Sequence, residues 1–445
     1  MQGTFPEKSV ELRRILVLFP KDWDLVELEH PRYQAGYRFF FEGFDLFRFP
    51  DNARLLTFDA RRYVDRLARK YRGRIDGVVS NNEHFGTLIA AALAQRLGLP
   101  GADPAVIIAA QHKYYSRCMQ QRIVPEATPR FEALPYDDGI NDPPHIGFPC
   151  FVKPVKATYS VLARRIDSFA QLRALMDFSP LERLILRKLV QPFDDLMRLY
   201  TPFTIGARAM IAEEILDGVQ VNIDGYVHKG RITVLGIVDE VMYPGTQAFM
   251  RFEYPSQLSP EVQQRMVALT EKLLAGLDYS HGFFNVELIV DPQSGAIRII
   301  EINPRMASQI ANLYRRVDGC DPYGMLLDLA VGNAPQTVSG AGEFRAAASF
   351  VFRRFDGRAA DSVPSAEQIA AMHRSYPDAR LILYLKRGAG LAREMKWLGS
   401  HRYAVLNLGG RDAADLQLRY EAIRRELALD AGAGSASTSR IASSI

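Results

Sequence analysis

The sequence predicts a protein of α/β and α+β architecture, and three observations lead to this prediction. Strand-like and helix-like apolar segments alternate through residues 1–110, which is typical of a parallel sheet covered by helices. Apolar hairpins follow in the middle of the chain, and strands mix with helices again from residue 344. A chain of 445 residues is long enough to build several packed layers around a large core.

The N-terminal segment predicts strands and helices in strict alternation. The apolar spacing predicts strands at 15–19, 55–58 and 77–80 and helices at 33–41, 61–71 and 83–97. Ligands of such sheets bind beyond the carboxyl ends of the strands, and Asn81, Asn82 and Glu83 follow the third strand. These three residues are therefore candidates to contact a substrate, although a turn that caps the next helix explains them equally well.

The last part of the chain predicts a small α+β domain at 336–430, followed by a disordered tail at 431–445. The tail is rich in Ala, Gly, Ser and Thr and carries no apolar period. In the domain the spacing predicts strands at 346–353, 381–386 and 401–408 and helices at 366–376 and 413–427.

The segment at 283–306 carries the strongest functional signal. Two apolar strands flank a turn of Asp, Pro, Gln, Ser and Gly, and folding them about Ser294 places Glu287 opposite Glu301. Two opposed carboxylates in an apolar hairpin repel each other, and burying them without partners is costly. A hard cation would resolve this conflict, because Mg²⁺ prefers oxygen ligands and leaves positions open for phosphate oxygens.

Two further residues extend this pattern along the second strand of the hairpin. Asn303 lies two residues beyond Glu301 and therefore on the same face of the strand. Arg305 follows after a proline that ends the ladder, and its planar guanidinium can bind an anion through two parallel hydrogen bonds.

The pattern Asn-Val-Glu followed by Glu-Ile-Asn-Pro-Arg resembles the metal-binding signature of the ATP-grasp superfamily. This superfamily includes D-alanine–D-alanine ligase, biotin carboxylase and the L-amino-acid dipeptide ligases. The resemblance implies ATP and one or two Mg²⁺ as cofactors, with Mn²⁺ as a substitute. It implies that Glu287, Glu301 and Asn303 hold the metal and that Arg305 contacts the γ-phosphate or a bound carboxylate.

The resemblance also implies a division of the chain into domains. A pre-ATP-grasp domain would cover residues 1–110, and the ATP-grasp domain would cover 111–335. The latter would consist of a small lid subdomain at about 148–212 and a large subdomain at about 213–335.

Further landmarks that resemble the nucleotide site of the family occur upstream in the expected order. Lys113 and Lys153 correspond to lysines that contact ATP phosphates, and Lys153 ends the strand Cys-Phe-Val-Lys. The resemblance implies that Glu213 meets the adenine amino group. It further implies that the adenine edge and the ribose are bound by Glu214, Ile215, Leu216 and Gln220.

The chain departs from the family in the loop that closes over the phosphates. This loop is usually rich in Gly and Ser, whereas residues 154–161 contain no glycine. Ser160 can supply a hydroxyl to the nucleotide, and Lys156 can supply a second cation. The segment between Lys153 and Glu213 is longer than usual, with an extra helix predicted at 191–200.

The resemblance implies a carboxylate–amine ligase. ATP would phosphorylate a carboxylate, and an amine would attack the acyl phosphate with release of ADP and phosphate, with Arg305 and Lys153 as catalytic residues. A biotin-carboxylase-like carboxylase stays open as an alternative, although residues 306–312 contain no acidic group that could act as its base. A nucleotide-binding regulator without activity stays open as well. Ser308, Gln309 and Asn312 predict a neutral polar surface near the substrate.

Composition argues against nucleic-acid and membrane partners, and the resemblance implies small-molecule partners. A net charge of +4 is too small to indicate a nucleic-acid surface, and no apolar stretch is long enough to cross a bilayer. Three cysteines without paired spacing fit a reducing compartment, so we expect a cytoplasmic protein. The expected partners are a carboxylate and an amine. The oligomeric state stays open, with a homodimer as one expectation.

Overall fold

The computed structural model describes residues 12–45, 50–135, 140, 142–156, 162–358, 363–384, 391, 395 and 399–429. The strands of these residues form three sheets, one parallel and two antiparallel. The predicted combination of α/β and α+β architecture is thereby confirmed. Among the described residues, no helix combines the length and the apolar composition that a membrane span requires.

The N-terminal sheet is parallel, as the sequence predicts. Its strands lie in the order β2-β1-β3 and have the bounds β1 (Arg13–Leu18), β2 (Tyr37–Glu42) and β3 (Gly77–Val79). The helices of this region are α1 (Asp22–Leu28), α2 (Pro31–Gln34), α3 (Ala60–Tyr71), α4 (Gly86–Leu97), α5 (Pro104–Gln111) and α6 (Lys113–Ile123).

Two predicted elements of this region are wrong. The segment predicted as a helix at 33–41 contains most of strand β2, because its aromatic run favours an extended backbone and Tyr37 pairs with Arg13 of β1. The segment predicted as a strand at 55–58 lies largely in a 3₁₀ helix, Asp51–Thr57. No described strand pairs with this segment, and its backbone closes tight turns instead, with hydrogen bonds from Ala53 N to Pro50 O at 3.0 Å and from Phe58 N to Leu55 O at 3.3 Å.

The region predicted as the lid subdomain contains two helices and a four-stranded antiparallel sheet, the lid sheet. Its strands lie in the order β4-β7-β5-β6 and have the bounds β4 (Phe131–Leu134), β5 (Cys150–Pro154), β6 (Arg164–Ile166) and β7 (Met210–Glu213). Helices α7 (Phe169–Met176) and α8 (Pro180–Tyr200) connect β6 to β7. The predicted start of the extra helix at 191 is wrong, because Ser179 and Glu182 form a capping box that begins α8 at Pro180.

The large sheet has the strand order β12-β11-β8-β9-β10-β13-β15-β14. The bounds are β8 (Val219–His228), β9 (Arg231–Met242), β10 (Phe249–Tyr254), β11 (His281–Val290), β12 (Ile297–Asn303), β13 (Ala346–Arg354), β14 (Arg380–Leu383) and β15 (His401–Gly410). The helices are α9 (Pro260–Gly276), α10 (Ala311–Asp318), α11 (Pro322–Ala330), α12 (Ala366–Ser375) and α13 (Ala413–Glu426).

The C-terminal strands extend this same sheet, because β13 pairs with β10. The region nevertheless has a core of its own, in which α12 and α13 pack on β13 and β15. Its predicted strands and helices are confirmed, except that β14 ends at Leu383 and residues 385–390 lie outside the described part. The predicted disordered tail at 431–445 lies outside it as well, and the predicted domain limits stay predictions.

One buried carboxylate joins the N-terminal sheet to the large sheet. Asp24 in α1 is 1% exposed, and its Oδ1 accepts hydrogen bonds from Asn81 Nδ2 at 2.8 Å, Ser308 Oγ at 2.8 Å and Tyr323 Oη at 2.9 Å. Its Oδ2 accepts a hydrogen bond from the backbone nitrogen of Lys21 at 2.9 Å. A buried carboxylate with three side-chain donors from separate segments fixes the relative position of those segments.

We predict that Asp24→Ala lowers the free energy of unfolding by about 3 kcal/mol, because it leaves several buried donors without an acceptor. The neighbouring Asp22→Ala is the matched control, since Asp22 is exposed on the same helix. Thermal and urea unfolding of both variants measure the difference. Equal stability of the two variants would contradict the role of Asp24 as the joining group.

Candidate active site

The hairpin of β11 and β12 places two carboxylates opposite each other. Glu287 pairs with Glu301 across the strands, as folding about Ser294 predicts. The register then shifts by one residue, since Leu288 pairs with Ile299 and leaves Ile300 without a partner. The carbonyl oxygen of Ile300 accepts a hydrogen bond from Arg117 Nη2 at 2.8 Å, so the irregularity connects the hairpin to α6.

The two opposed carboxylates have different electrostatic environments. Burial and the charge of Glu301 raise the pKa of Glu287 well above its usual range. Burial alone would also raise the pKa of Glu301, but Lys113 and Lys153 outweigh it and lower that pKa to about 2. Lys113 Nζ lies 3.1 Å from Glu301 Oε2. Glu301 is therefore the permanently charged member of the pair, and Glu287 is the member that needs a further positive charge.

The side chains around Asn303 fit a hard divalent cation. The amide nitrogen of Asn303 lies 3.1 Å from Glu287 Oε1 and 3.4 Å from Glu301 Oε1, so two carboxylate oxygens converge on this amide. Rotation of the amide would turn its oxygen to the same point, which gives the all-oxygen donor set that Mg²⁺ prefers. The described part of the chain holds no cluster of three or more His, Cys, Asp or Glu residues that could bind a metal, so a cation at this point would need the amide oxygen of Asn303 beside the two carboxylates.

Lys153 lies in a buried cluster of charges at the end of β5. Its Nζ is 2.7 Å from Glu213 Oε2, and Arg117 Nε is 2.8 Å from Glu213 Oε1. Burial would raise the pKa of Glu213, but these two cations lower it to about 2. The sequence reasoning missed Arg117, although its position four residues after Lys113 on the same helix face could have indicated it.

The contact between Glu213 and the adenine amino group stays a prediction, and the geometry shows which groups would compete for it. Both carboxylate oxygens of Glu213 already have cationic partners, so an adenine amino group would compete with Arg117 or Lys153. The three residues that follow β7 are half-buried and have no regular secondary structure, which leaves peptide groups that can pair with a base edge. These three residues are Glu214, Ile215 and Leu216.

Gln220 lies beside a third buried carboxylate that the sequence did not single out. Gln220 pairs with Glu240 across β8 and β9, and Asn222 Nδ2 donates a hydrogen bond to Glu240 Oε1. Burial raises the pKa of Glu240 to about 8. Its second oxygen is buried and has no hydrogen-bond partner among the described residues. The ribose prediction for Gln220 stays a prediction, and Glu240 provides an acceptor beside it.

Arg305 follows β12, and its guanidinium already pairs with a carboxylate. Its Nε and Nη2 lie 2.8 Å and 2.5 Å from Glu83 Oε2, and its Nη1 lies 3.3 Å from Asn285 Oδ1. Lys21 Nζ lies 3.5 Å from the other oxygen of Glu83. Burial opposes the charge of Glu83, but Arg305 and Lys21 lower its pKa to about 2. An anion that binds Arg305 must therefore compete with Glu83.

The other two residues after β3 have structural roles. Asn82 Oδ1 accepts hydrogen bonds from the backbone nitrogens of His84 at 3.1 Å and Gly86 at 3.3 Å. These bonds form the turn before α4 that the sequence offered as the alternative to a substrate contact. Asn81 donates to Asp24. Of the three candidates, Glu83 alone contacts Arg305.

The predicted neutral polar surface near the substrate is wrong. Ser308 is buried and donates to Asp24, while Gln309 donates to Ser349 Oγ at 3.0 Å. The amide oxygen of Asn312 accepts a hydrogen bond from Asn407 at 2.8 Å. Gln309 and Asn312 serve the contact with the C-terminal strands, because the sheet continues from β10 into β13 and β15, while Ser308 serves the contact with α1.

Residues 146–312 match the family model described as an ATP-grasp domain. The chain contains an ATP-grasp domain. This confirms the family that the hairpin resembles, and the match includes Lys153, Glu213 and the whole hairpin.

Solved structures share this fold over almost the whole chain. An L-amino acid ligase from Bacillus licheniformis has 16% identity and a TM-score of 0.67, over 93% of this chain and 97% of that one. An N5-carboxyaminoimidazole synthase from Aspergillus clavatus, in complex with ADP and a ribonucleotide, has 14% identity and a TM-score of 0.62, over 94% and 99%. A biotin carboxylase from Campylobacter jejuni has 12% identity and a TM-score of 0.64, over 95% and 92%. Identities this low show the fold alone.

The segment at 154–161, predicted to close over the phosphates, is described only in part. Ser160, predicted to supply a hydroxyl, lies outside the described residues, as do its neighbours at 157–161. Lys156 is the last described residue before them, and it is buried.

We predict that Arg117→Met lowers the free energy of unfolding by about 3 kcal/mol, because it removes one of the two cations of buried Glu213. Arg130→Met is the matched control, since Arg130 is exposed and its Nε lies 3.1 Å from Oε2 of Glu214, the residue that follows Glu213. The control should lose less than about 1 kcal/mol. Urea unfolding measures both, and similar losses would contradict the importance of the buried cluster.

Proposed function

We propose that the protein is an ATP-dependent ligase that joins a carboxylate to an amine through an acyl phosphate, with release of ADP and phosphate. The observation that supports this most is the arrangement of charges on one face of the large sheet. Glu287 faces Glu301 across the strands, the charges of Lys113 and Lys153 act on Glu301, and the charge of Arg305 acts on Glu287. Phosphoryl transfer to a carboxylate needs anions to be held together, and this arrangement supplies positive charge from several directions.

The strand register arranges the polar side chains of this face in successive rows. Gln220 and Glu240 lie at the end near the segment that follows β7, and they form the proposed nucleoside end. The next row pairs Asn222, Glu287 and Glu301 across β8, β11 and β12. The row after it pairs Asp224, Asn285 and Asn303. Since Arg305 contacts Asn285, the carboxylate substrate is proposed to bind at this last row.

A magnesium ion held by Glu287, Glu301 and Asn303 would neutralise charge on the phosphates. Lys113 and Lys153 are proposed to orient phosphate oxygens, since both ammonium groups lie beside buried carboxylates of the site. Arg305 is proposed to hold the carboxylate in line with the transferred phosphoryl group, with Glu83 as the partner it releases.

The substrate end contains charges of both signs. Asp224 is buried, accepts a hydrogen bond from Tyr314 Oη at 2.7 Å, and has a pKa that burial raises to about 6. Glu83 and Asp224 can attract an ammonium group, while Arg305 attracts a carboxylate. This combination supports the pairing of a carboxylate with an amine. The carboxylase alternative gains no support, because Ser308, Gln309 and Asn312 are bound to other parts of the protein.

We predict that Glu287→Gln and Glu301→Gln each lower the rate of ADP release at least about a hundredfold, because each removes a charged ligand of a hard cation. Both should also lose the magnesium dependence of ATP binding in calorimetry while they retain the fold. Glu271→Gln, on the exposed side of α9, is the control and should behave like wild type. Near-normal ADP release by either hairpin variant would contradict the metal assignment.

An isotope experiment tests the proposed acyl phosphate directly. Amino acids, amines and hydroxy acids are first screened in pairs for ADP release, and the active carboxylate is then labelled with ¹⁸O. One label should appear in the released phosphate, because the carboxylate oxygen attacks the γ-phosphorus and leaves with it. Label in AMP would instead indicate an adenylate, and the proposed function would have to be abandoned.

A further inference from the structure

Lys156 follows the end of β5, at a point where the backbone is firmly held. The backbone nitrogen of Val155 donates to Ala209 O at 2.9 Å, and the backbone oxygen of Val155 accepts from Lys113 N at 2.9 Å. These two hydrogen bonds tie the residue before Lys156 both to the lid sheet and to the start of α6. The lysine side chain therefore begins from a fixed position beside the proposed phosphate site.

The ammonium group of Lys156 is buried and has only neutral hydrogen-bond acceptors. The residue is 4% exposed, and its Nζ donates to Glu83 O at 2.9 Å and to Gln111 Oε1 at 3.2 Å. The ring centroid of Phe193 lies 4.9 Å from Nζ. These contacts use two of the three N–H groups of an ammonium, so one donor remains for a ligand.

This environment differs from that of the other two lysines of the site. Lys113 is paired with Glu301 and Lys153 with Glu213. For Lys156, no carboxylate oxygen of the described residues comes within the 4.0 Å of an ion pair. A buried ammonium without a counter-ion is costly, and a structural lysine would gain nothing from this position.

The charges around Lys156 favour an additional anion at this position. Burial, followed by the charge of Lys113, lowers the pKa of Lys156 to about 7. His84 and His112, which lie near Lys156, stay neutral at pH 7 because burial lowers the pKa of each imidazole to about 4. The charged and titratable groups that face Lys156 from the surrounding elements are Lys113, Glu301, Glu83, Arg305, His84 and His112.

We propose that Lys156 is a phosphate-binding residue of the nucleotide site, and that the anion it lacks is the polyphosphate of ATP. This proposal rests on the proposed function. A glycine-rich loop would offer backbone N–H groups to the phosphates, and residues 154–161 have no glycine. The ammonium group of Lys156 can supply positive charge to the phosphates in place of such N–H groups, because it acts as a point charge on a flexible stem.

Calorimetric titration with Mg-ATP, in two buffers of different ionisation enthalpy, tests the proposal. At about pH 8 an amine with a pKa near 7 is mostly neutral, so an anion that raises this pKa draws in a proton. At about pH 6 the amine already carries its proton, and its uptake should vanish. The wild-type chain should therefore take up more protons at the higher pH than Lys156→Met, and this difference separates Lys156 from the titrating carboxylates.

Two variants of Lys156 separate charge from packing. Lys156→Met should bind ATP about 10- to 100-fold more weakly and bind AMP as the wild type does, because it loses a charge-assisted contact to the outer phosphates. Lys156→Arg keeps the charge and should bind ATP more tightly than the methionine variant, without the proton uptake. Lys229→Met, in the exposed turn between β8 and β9, is the control and should match the wild type.

The outcomes are distinct. Equal ATP affinity and equal proton uptake in wild type and Lys156→Met would overturn this proposal while ATP binding still supported the proposed function. An equal loss of ATP and AMP affinity in Lys156→Met would also overturn it, since the lysine would then serve only to hold the backbone of Glu83. A wild-type chain that does not bind ATP at all would overturn the proposed function itself.

Discussion

The repulsion between Glu287 and Glu301 is the constraint on which the rest of the site depends. Two carboxylates that face each other in a buried hairpin are stable only if positive charge surrounds them. Lys113 pairs directly with Glu301, and Lys153 lowers the pKa of the same carboxyl from a position beside Glu213. Glu287 has no such ion pair among the described residues, and burial and the charge of Glu301 raise its pKa. The protein thus compensates Glu301 with its own lysines, and the proposed external cation would compensate Glu287.

A second buried cluster supports the first. Arg117 connects Glu213 in the lid sheet with the carbonyl oxygen of Ile300 in the hairpin. Ile300 lies in β12, an edge strand of the large sheet, at the point where the strand register shifts by one residue. The same arginine therefore contacts both the lid sheet and the hairpin beside the opposed glutamates. The position of Lys153 depends on the same contact through Glu213.

The sequence predicts those parts of this protein that depend on local pattern. The alternation of polar and apolar residues about Ser294 predicts the opposed glutamates, and the short turn at Lys229 and Gly230 connects two predicted strands. Parts that depend on distant partners are not predictable in this way. The aromatic run of β2 became a strand because β1 lay beside it, and Gln309 turned to Ser349 because the C-terminal strands extend the large sheet. The partner of Arg305 was equally hidden, since Glu83 lies far away in the chain.

The ion pair of Arg305 and Glu83 joins two sheets, because the arginine follows β12 and the glutamate follows β3. An anion that occupies the arginine exchanges one contact between the sheets for a contact with itself. If the proposed substrate end is filled in this way, its occupancy is thermodynamically linked to the docking of the N-terminal sheet, and the linkage is reciprocal. The hydrogen bonds of Asp24 involve neither Arg305 nor Glu83, so this exchange would not break them. The contact between the loop after β3 and the hairpin would then depend on whether an anion occupies Arg305.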